Sequence, residues 1–130
     1  MHYSKYDLQL IAAMIGVRKL RGLKQENVAN DLGTYRTYIA KMENGKVVLR
    51  IGQLNQIAAI LKTSLVNLLK VAGVIDMLDI EISPVEEIIK AFTSKSEKID
   101  FTREELFVIF SEMKRSYPEL RTKTKANLIC

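Results

Sequence analysis

The chain has 130 residues, 48% hydrophobic and 27% charged, which suits one packed domain or a small domain with an extension. No apolar run approaches the roughly 20 residues of a membrane span, and Met1-His2-Tyr3-Ser4-Lys5 contains no apolar signal core. One cysteine, Cys130, excludes an internal disulfide, and one histidine at the other chain end leaves little material for zinc. No metal, no cofactor and no membrane partner are therefore expected, and the cytoplasm is the expected location. The net charge of +5 is uneven: residues 1–72 hold 11 Lys/Arg against 4 Asp/Glu, residues 73–130 hold 9 against 11. A basic N-terminal part fits a polyanionic partner, with simple solubility as the plainer reading.

In chain order, apolar residues at Leu8, Ile11, Ala12 and Ile15 predict a helix from Tyr6 to Leu20 that ends at Gly22. Gln25 to Leu32 places Val28, Ala29 and Leu32 on one face and stops at Gly33. Tyr35 to Glu43 buries Ile39 and Met42 and stops at Asn44-Gly45. Leu54, Ile57, Ala58 and Leu61 form a fourth stripe. Leu65, Leu68 and Leu69 form a short fifth one, opened by Thr63-Ser64. Between Val74 and Ile82, alternation of Leu78, Ile80 and Ile82 with Asp79 and Glu81 suits a strand or extended linker, with a helix still open. Ser83-Pro84-Val85-Glu86 then starts a sixth helix, with serine as cap and proline at the first helical position. Thr102-Arg103-Glu104-Glu105 is a second capping box, with Phe101 and Leu106 placed as a hydrophobic staple. That helix is expected to end at Pro118, leaving Arg121 to Cys130 as a short, mobile basic tail.

The informative stretch runs from Gly22 to Lys46. Two helices meet at a tight turn on Gly33, Ala29 is small where they must approach, and Val28, Leu32, Ile39 and Met42 supply a shared core. That is the physical signature of a helix-turn-helix.

These residues resemble the lambda-repressor-like family, the Cro and phage-repressor type. The resemblance covers roughly Leu8 to Leu69 and rests on Gly-Leu-x-Gln, Val-Ala, Leu-Gly, Ile-x-x-Met-Glu-Asn-Gly-Lys and a late Leu-x-x-Ile-Ala-x-x-Leu. It implies an all-α fold: a five-helix DNA-binding domain over 1–72, then a two-helix C-terminal region over 73–130. It also implies that the helix around residues 35–43 lies in the major groove of double-stranded DNA. With Arg36 at 0°, Ala40 falls at about 40°, Asn44 at about 80°, Thr37 at about 100° and Lys41 at about 140°. Tyr35, Ile39 and Met42 fall on the other side.

Arg36 suits a bidentate contact to guanine, Thr37 a base edge or thymine methyl, and Lys41 a guanine or phosphate. In the family, the matching positions are the usual base readers. The resemblance makes Gln25 a phosphate clamp at a helix N-terminus, with Asn44 and Lys46 as further backbone contacts. Tyr35 and Tyr38 lie at the groove edge, where Tyr38 either packs against the core or reaches a phosphate. Lys5, Lys24 and Arg50 are weaker candidates. The resemblance also pairs Glu43 with Arg18, fixing the first helix against the third. Three features depart from the pattern. Tyr35 occupies the usual cap position, with Thr34 as an earlier alternative. No proline precedes the fourth helix, and Val47-Val48-Leu49 is unusually apolar and is expected to bury against something, a second subunit being one candidate.

A lone helix-turn-helix makes few contacts, and a two-fold dimer doubles them on a palindromic operator. Ser83 to Tyr117, through Ile88, Phe92, Leu106, Ile109, Phe110 and Met113, is accordingly expected to bind a second copy or a small protein partner. Packing back on the same chain is the alternative. A transcriptional regulator, more specifically a repressor, leads the functional readings. An antitoxin binding its toxin through the C-terminal helices is the runner-up. A restriction–modification controller and a protein-interaction module that has lost DNA contact follow. No catalytic residues are expected: Glu86-Glu87 and Glu104-Glu105 each lie in a first helical turn, where acids favour the dipole. No nucleophile elbow or phosphate loop is present.

Overall fold

The computed structural model describes residues 4–95 and 98–128, with side chains described through Thr122. His2 and Cys130 lie outside the described residues. Among the described residues seven α-helices follow in order: α1 (Lys5–Leu20), α2 (Gln25–Leu32), α3 (Arg36–Glu43), α4 (Ile51–Ile60), α5 (Leu65–Ala72), α6 (Val85–Lys95) and α7 (Arg103–Leu128). A 3₁₀ turn, Gly73–Asp76, follows α5. There is no strand among the described residues, and no single helix is long and apolar enough to cross a membrane.

Local chemistry sets most boundaries. Ser4 opens α1 with a capping box, its hydroxyl accepting from the Asp7 amide while Asp7 accepts from the Ser4 amide. Ser64 caps α5 by accepting from the Asn67 amide at 3.1 Å. Thr102 and Glu105 complete the box that opens α7, at 3.1 and 2.9 Å. Gly33 closes α2 in the left-handed region, φ 78°, which lets the chain reverse within three residues into α3.

The centre of the molecule is α1. Every residue from Leu8 to Arg18 is buried, because the helix-turn-helix and α4–α5 cover one side and α7 runs along the other. Its most extensive packing is against α7. Gly16 makes that approach possible: a Cβ there would stand 2.9 Å from the Ile109 carbonyl oxygen. Phe92 and Phe110 meet edge to face, ring centroids 5.3 Å apart, and join α6 to the same core.

This arrangement corrects the expected partner surface. Ile88, Phe92, Leu106, Ile109, Phe110 and Met113 are each at most 1% exposed. They face the interior of their own chain, so they are not available to a second copy or a small protein. The two amphipathic helices find the burial they need on α1, whose second face is apolar too (Leu10, Ala13, Val17). The core therefore runs unbroken across the boundary expected at residue 72.

Four smaller expectations change as well. Residues 77–84 form turns rather than a strand. No partner strand is available there, and the ammonium of Lys114 instead gathers the carbonyls of Ile80, Glu81 and Ser83 at 3.1, 3.2 and 2.6 Å. Pro84 precedes α6 rather than opening it, its carbonyl accepting from the Ile88 amide. On α5, Leu69 points to solvent while Leu68 and Val71 are buried. Pro118 does not end α7: the helix continues to Leu128. Beyond the proline, Leu120 is buried and Arg121 pairs with Glu81 at 2.6 Å, both of which favour continuing the helix over breaking it.

Candidate nucleic-acid interface

Helix α3 has a buried side and an exposed side. Ile39 and Met42 enter the core, while Arg36, Thr37 and Lys41 are exposed together on the opposite face. Tyr35 is the N-cap residue of α3, in extended geometry, and its side chain is 81% exposed. Neither Tyr35 nor Thr34 caps the helix with a side chain, so the first turn of α3 presents bare backbone amides at the edge of the exposed face.

The helix is held from behind by a charged network. Arg18 on α1 donates to both carboxylate oxygens of Glu43, Nε to Oε2 at 2.7 Å and Nη2 to Oε1 at 2.9 Å. Its remaining Nη1 donates to the Leu23 carbonyl at 2.8 Å. Both side chains are about nine-tenths buried, at 9% and 10% exposure. A fork of this kind fixes angle as well as distance, so the C-terminal end of α3 is pinned to α1.

Gln25, at the start of α2, extends the network outward. Its amide Nε2 donates to Glu43 Oε1 at 2.9 Å, and its Oε1 accepts from Arg36 Nη1 at 3.3 Å. Arg18, Glu43, Gln25 and Arg36 thus form one chain of contacts from the core to the exposed face. The last link is long and exposed, so Arg36 can leave it for another acceptor at little cost. Tyr38 turns elsewhere: its hydroxyl donates to Gln53 Oε1 on α4 at 2.9 Å. Asn44 is half-buried at the end of α3 and interacts within the protein, and Lys46 is exposed beyond it. Gly45, with φ 71°, makes the turn between them.

The weaker candidates divide. Lys24 and Arg50 are exposed, whereas Lys5 lies 3.7 Å from Asp76, an ion pair away from α3. Val47 and Leu49 pack on the chain's own core and Val48 is exposed, so the apolar loop needs no second subunit to bury its ends. The paired carboxylates have structural partners. Glu86 meets Arg103, and Glu105 both caps α7 and pairs with Arg21 at 3.1 Å.

Sequence reasoning did not find the links from Gln25 to Glu43 and Arg36, or from Tyr38 to Gln53. Each joins residues more than ten positions apart, and no periodicity marks them. It also missed Arg21, which donates to the carbonyls of Leu61 and Lys62 at 2.9 and 3.1 Å and ties the end of α4 to the start of α7.

Residues 16–74, a little under half of the chain, match the family model of a helix-turn-helix domain, in agreement with a Cro or lambda-repressor-like fold. No curated protein and no solved structure matches the chain.

Proposed function

From residues 16–74 as a helix-turn-helix domain, we propose that the chain is a sequence-specific DNA-binding regulator, acting as a repressor by occluding a promoter. Helix α3 enters the major groove. Arg36, Thr37 and Lys41 read base edges. Gln25, Asn44 and Lys46 hold the backbone, and Tyr35 and Tyr38 border the groove. The observation that carries this reading is the exposed polar face of α3 held rigidly against α1 by the Arg18–Glu43 fork. A reading head gains specificity when its orientation is settled before it meets DNA.

The regulator works as a two-fold dimer on a palindromic site, since one such domain makes too few contacts for tight specific binding. With the six apolar residues of α6 and α7 inside the core, the dimer must use other side chains. Val66 and Leu69 on α5 and Phe107 and Val108 on α7 are exposed apolar candidates. A monomer by light scattering at micromolar concentration, with and without operator, would remove the dimer from the proposal. The antitoxin reading depended on those same six residues meeting a toxin, and their burial leaves it without a specific observation in its favour.

Arg36→Ala combined with Lys41→Ala tests the reading face. A loss of about 1–3 kcal/mol per contact in operator affinity is expected, with relaxed preference among base substitutions. Unchanged operator affinity would remove these residues from the interface.

A further inference from the structure

The side of α7 that faces away from the core carries an ordered line of residues. Leu106, Ile109, Phe110 and Met113 turn inward. At about 100° per residue, Glu104, Val108, Ser111 and Arg115 fall within roughly 60° of one another on the opposite side. Their spacing of four, three and four residues is the one by which two helices pair along a seam. Glu104, Val108 and Arg115 are exposed and Ser111 is half-buried. The Ser111 hydroxyl donates to the Phe107 carbonyl at 2.6 Å, so the middle of the line is small and presents no unmet donor. Phe107 stands beside it, 45% exposed, on a groove lined also by Glu86 and Ile89.

The charges are ordered as well. Glu104 and Arg115 lie equally far from the midpoint of Val108 and Ser111. A two-fold antiparallel pair therefore sets Glu104 of each copy against Arg115 of the other, and Val108 against Ser111. It leaves both Phe107 rings on one side of the seam, about 7.5 Å apart along the helix axes. A parallel pair in register would instead set like charge to like. Helix α5 has a more exposed apolar pair in Val66 and Leu69, but its one charged residue is Lys70. A two-fold contact there brings cation towards cation.

We propose that α7 is the homodimer surface: a second copy of this chain docks antiparallel along Glu104, Val108, Ser111 and Arg115. The proposal supplies the contact for the two-fold regulator proposed above, and it rests on that reading for its purpose. Arg115 otherwise meets Glu112 of its own helix at 3.2 Å, an exposed pair that costs little to exchange. The two new ion pairs fix register and direction more than affinity. The contact is small, so a micromolar dimer is expected, tightened where two half-sites on one duplex hold both copies.

Sedimentation velocity of the full chain without DNA, over the micromolar range, tests the contact. Wild type is expected to show a concentration-dependent dimer. Glu104→Arg and Arg115→Glu are each expected to weaken association by about tenfold, because each turns two attractions into two repulsions. Mixed in equal amounts, the two variants are expected to associate nearly as tightly as wild type, since every mixed dimer again sets a cation against an anion at both pairs. Glu104 lies in the first turn of α7, and loss of helix stability alone could not give that rescue. Val66→Asp with Leu69→Asp is expected to leave the dimer intact. A monomeric wild type, no rescue on mixing, or dissociation by the α5 variant alone overturns the α7 contact. Failure of the DNA reading shows separately: a chain that pairs through α7 yet enriches no duplex refutes the regulator and leaves the contact standing.

Discussion

The two halves of this molecule use amphipathic helices in opposite ways. In α3, the polar side is the informative one: Ile39 and Met42 anchor it, and Arg36, Thr37 and Lys41 are left outside. In α6 and α7, the apolar side is the informative one, and Ile88, Phe92, Leu106, Ile109, Phe110 and Met113 on it are all buried within the chain. A wide apolar stripe states that a helix must be covered, but it does not state by what. Here the cover is α1, which is buried all round and serves as core to both halves. The C-terminal helices are then less an appendage than the second wall of the helix-turn-helix domain.

The sharpest way to break that view is Phe110→Ala. The residue is fully buried against Phe92, and its loss is expected to cost about 3–5 kcal/mol. If the halves share one core, chemical denaturation followed by circular dichroism gives a single transition shifted as a whole. Two transitions, with the helix-turn-helix unmoved, would mean separate domains. Glu43→Ala is expected to cost a similar amount, about 3–5 kcal/mol, because it leaves the Arg18 guanidinium buried without its partner. Replacing both residues by apolar ones of similar volume is expected to restore most of that stability while loosening the orientation of α3. Stability and operator specificity would therefore part company in the double variant.

Gly16→Ala tests the seam between the halves. The added Cβ would meet a backbone oxygen, Ile109 O, that cannot swing aside, so a loss of about 1–3 kcal/mol is expected in thermal or denaturant unfolding. A neutral or stabilising result would show that α7 can shift freely on α1. The smallest effect concerns Tyr117. Burial raises its pKa above the usual 10.0, aided by the Asp76 and Glu81 carboxylates and opposed by Arg121 and Lys5. A phenol whose folded pKa is raised contributes its full stability below the unfolded value and loses it as pH rises through the folded one. Stability should therefore fall above about pH 10, less steeply in Tyr117→Phe. Ultraviolet titration should find a late-ionising component that is lost in Tyr117→Phe.

Much of the helix-turn-helix was legible in the sequence because its signals are local. Gly33 needs a positive φ and takes it, and α2 begins and ends where Gln25 and Leu32 indicate. Thr102 and Glu105 carry out their capping box in full. The exposed face of α3 follows from helical period alone. The errors come where a distant partner decides. Pro118 reads as a stop, but Leu120 and Arg121 find a core and Glu81 beyond it. Ile80 alternates like a strand residue, yet Lys114, more than thirty residues away, satisfies its carbonyl in a turn. Gln25 reads as a phosphate contact, and its bonds to Glu43 and Arg36 depend on how α2 and α3 are set against each other. Local chemistry placed the elements, and only tertiary packing could show which faces were left free.

The most direct measurement is selection of bound duplexes from a random library by the full chain. The DNA-reading role of α3 predicts enrichment of a palindrome whose half-sites lie about one helical turn apart, lost when Arg36 and Lys41 are both alanine. No enrichment over competitor DNA, or the same palindrome recovered by that variant, would contradict it.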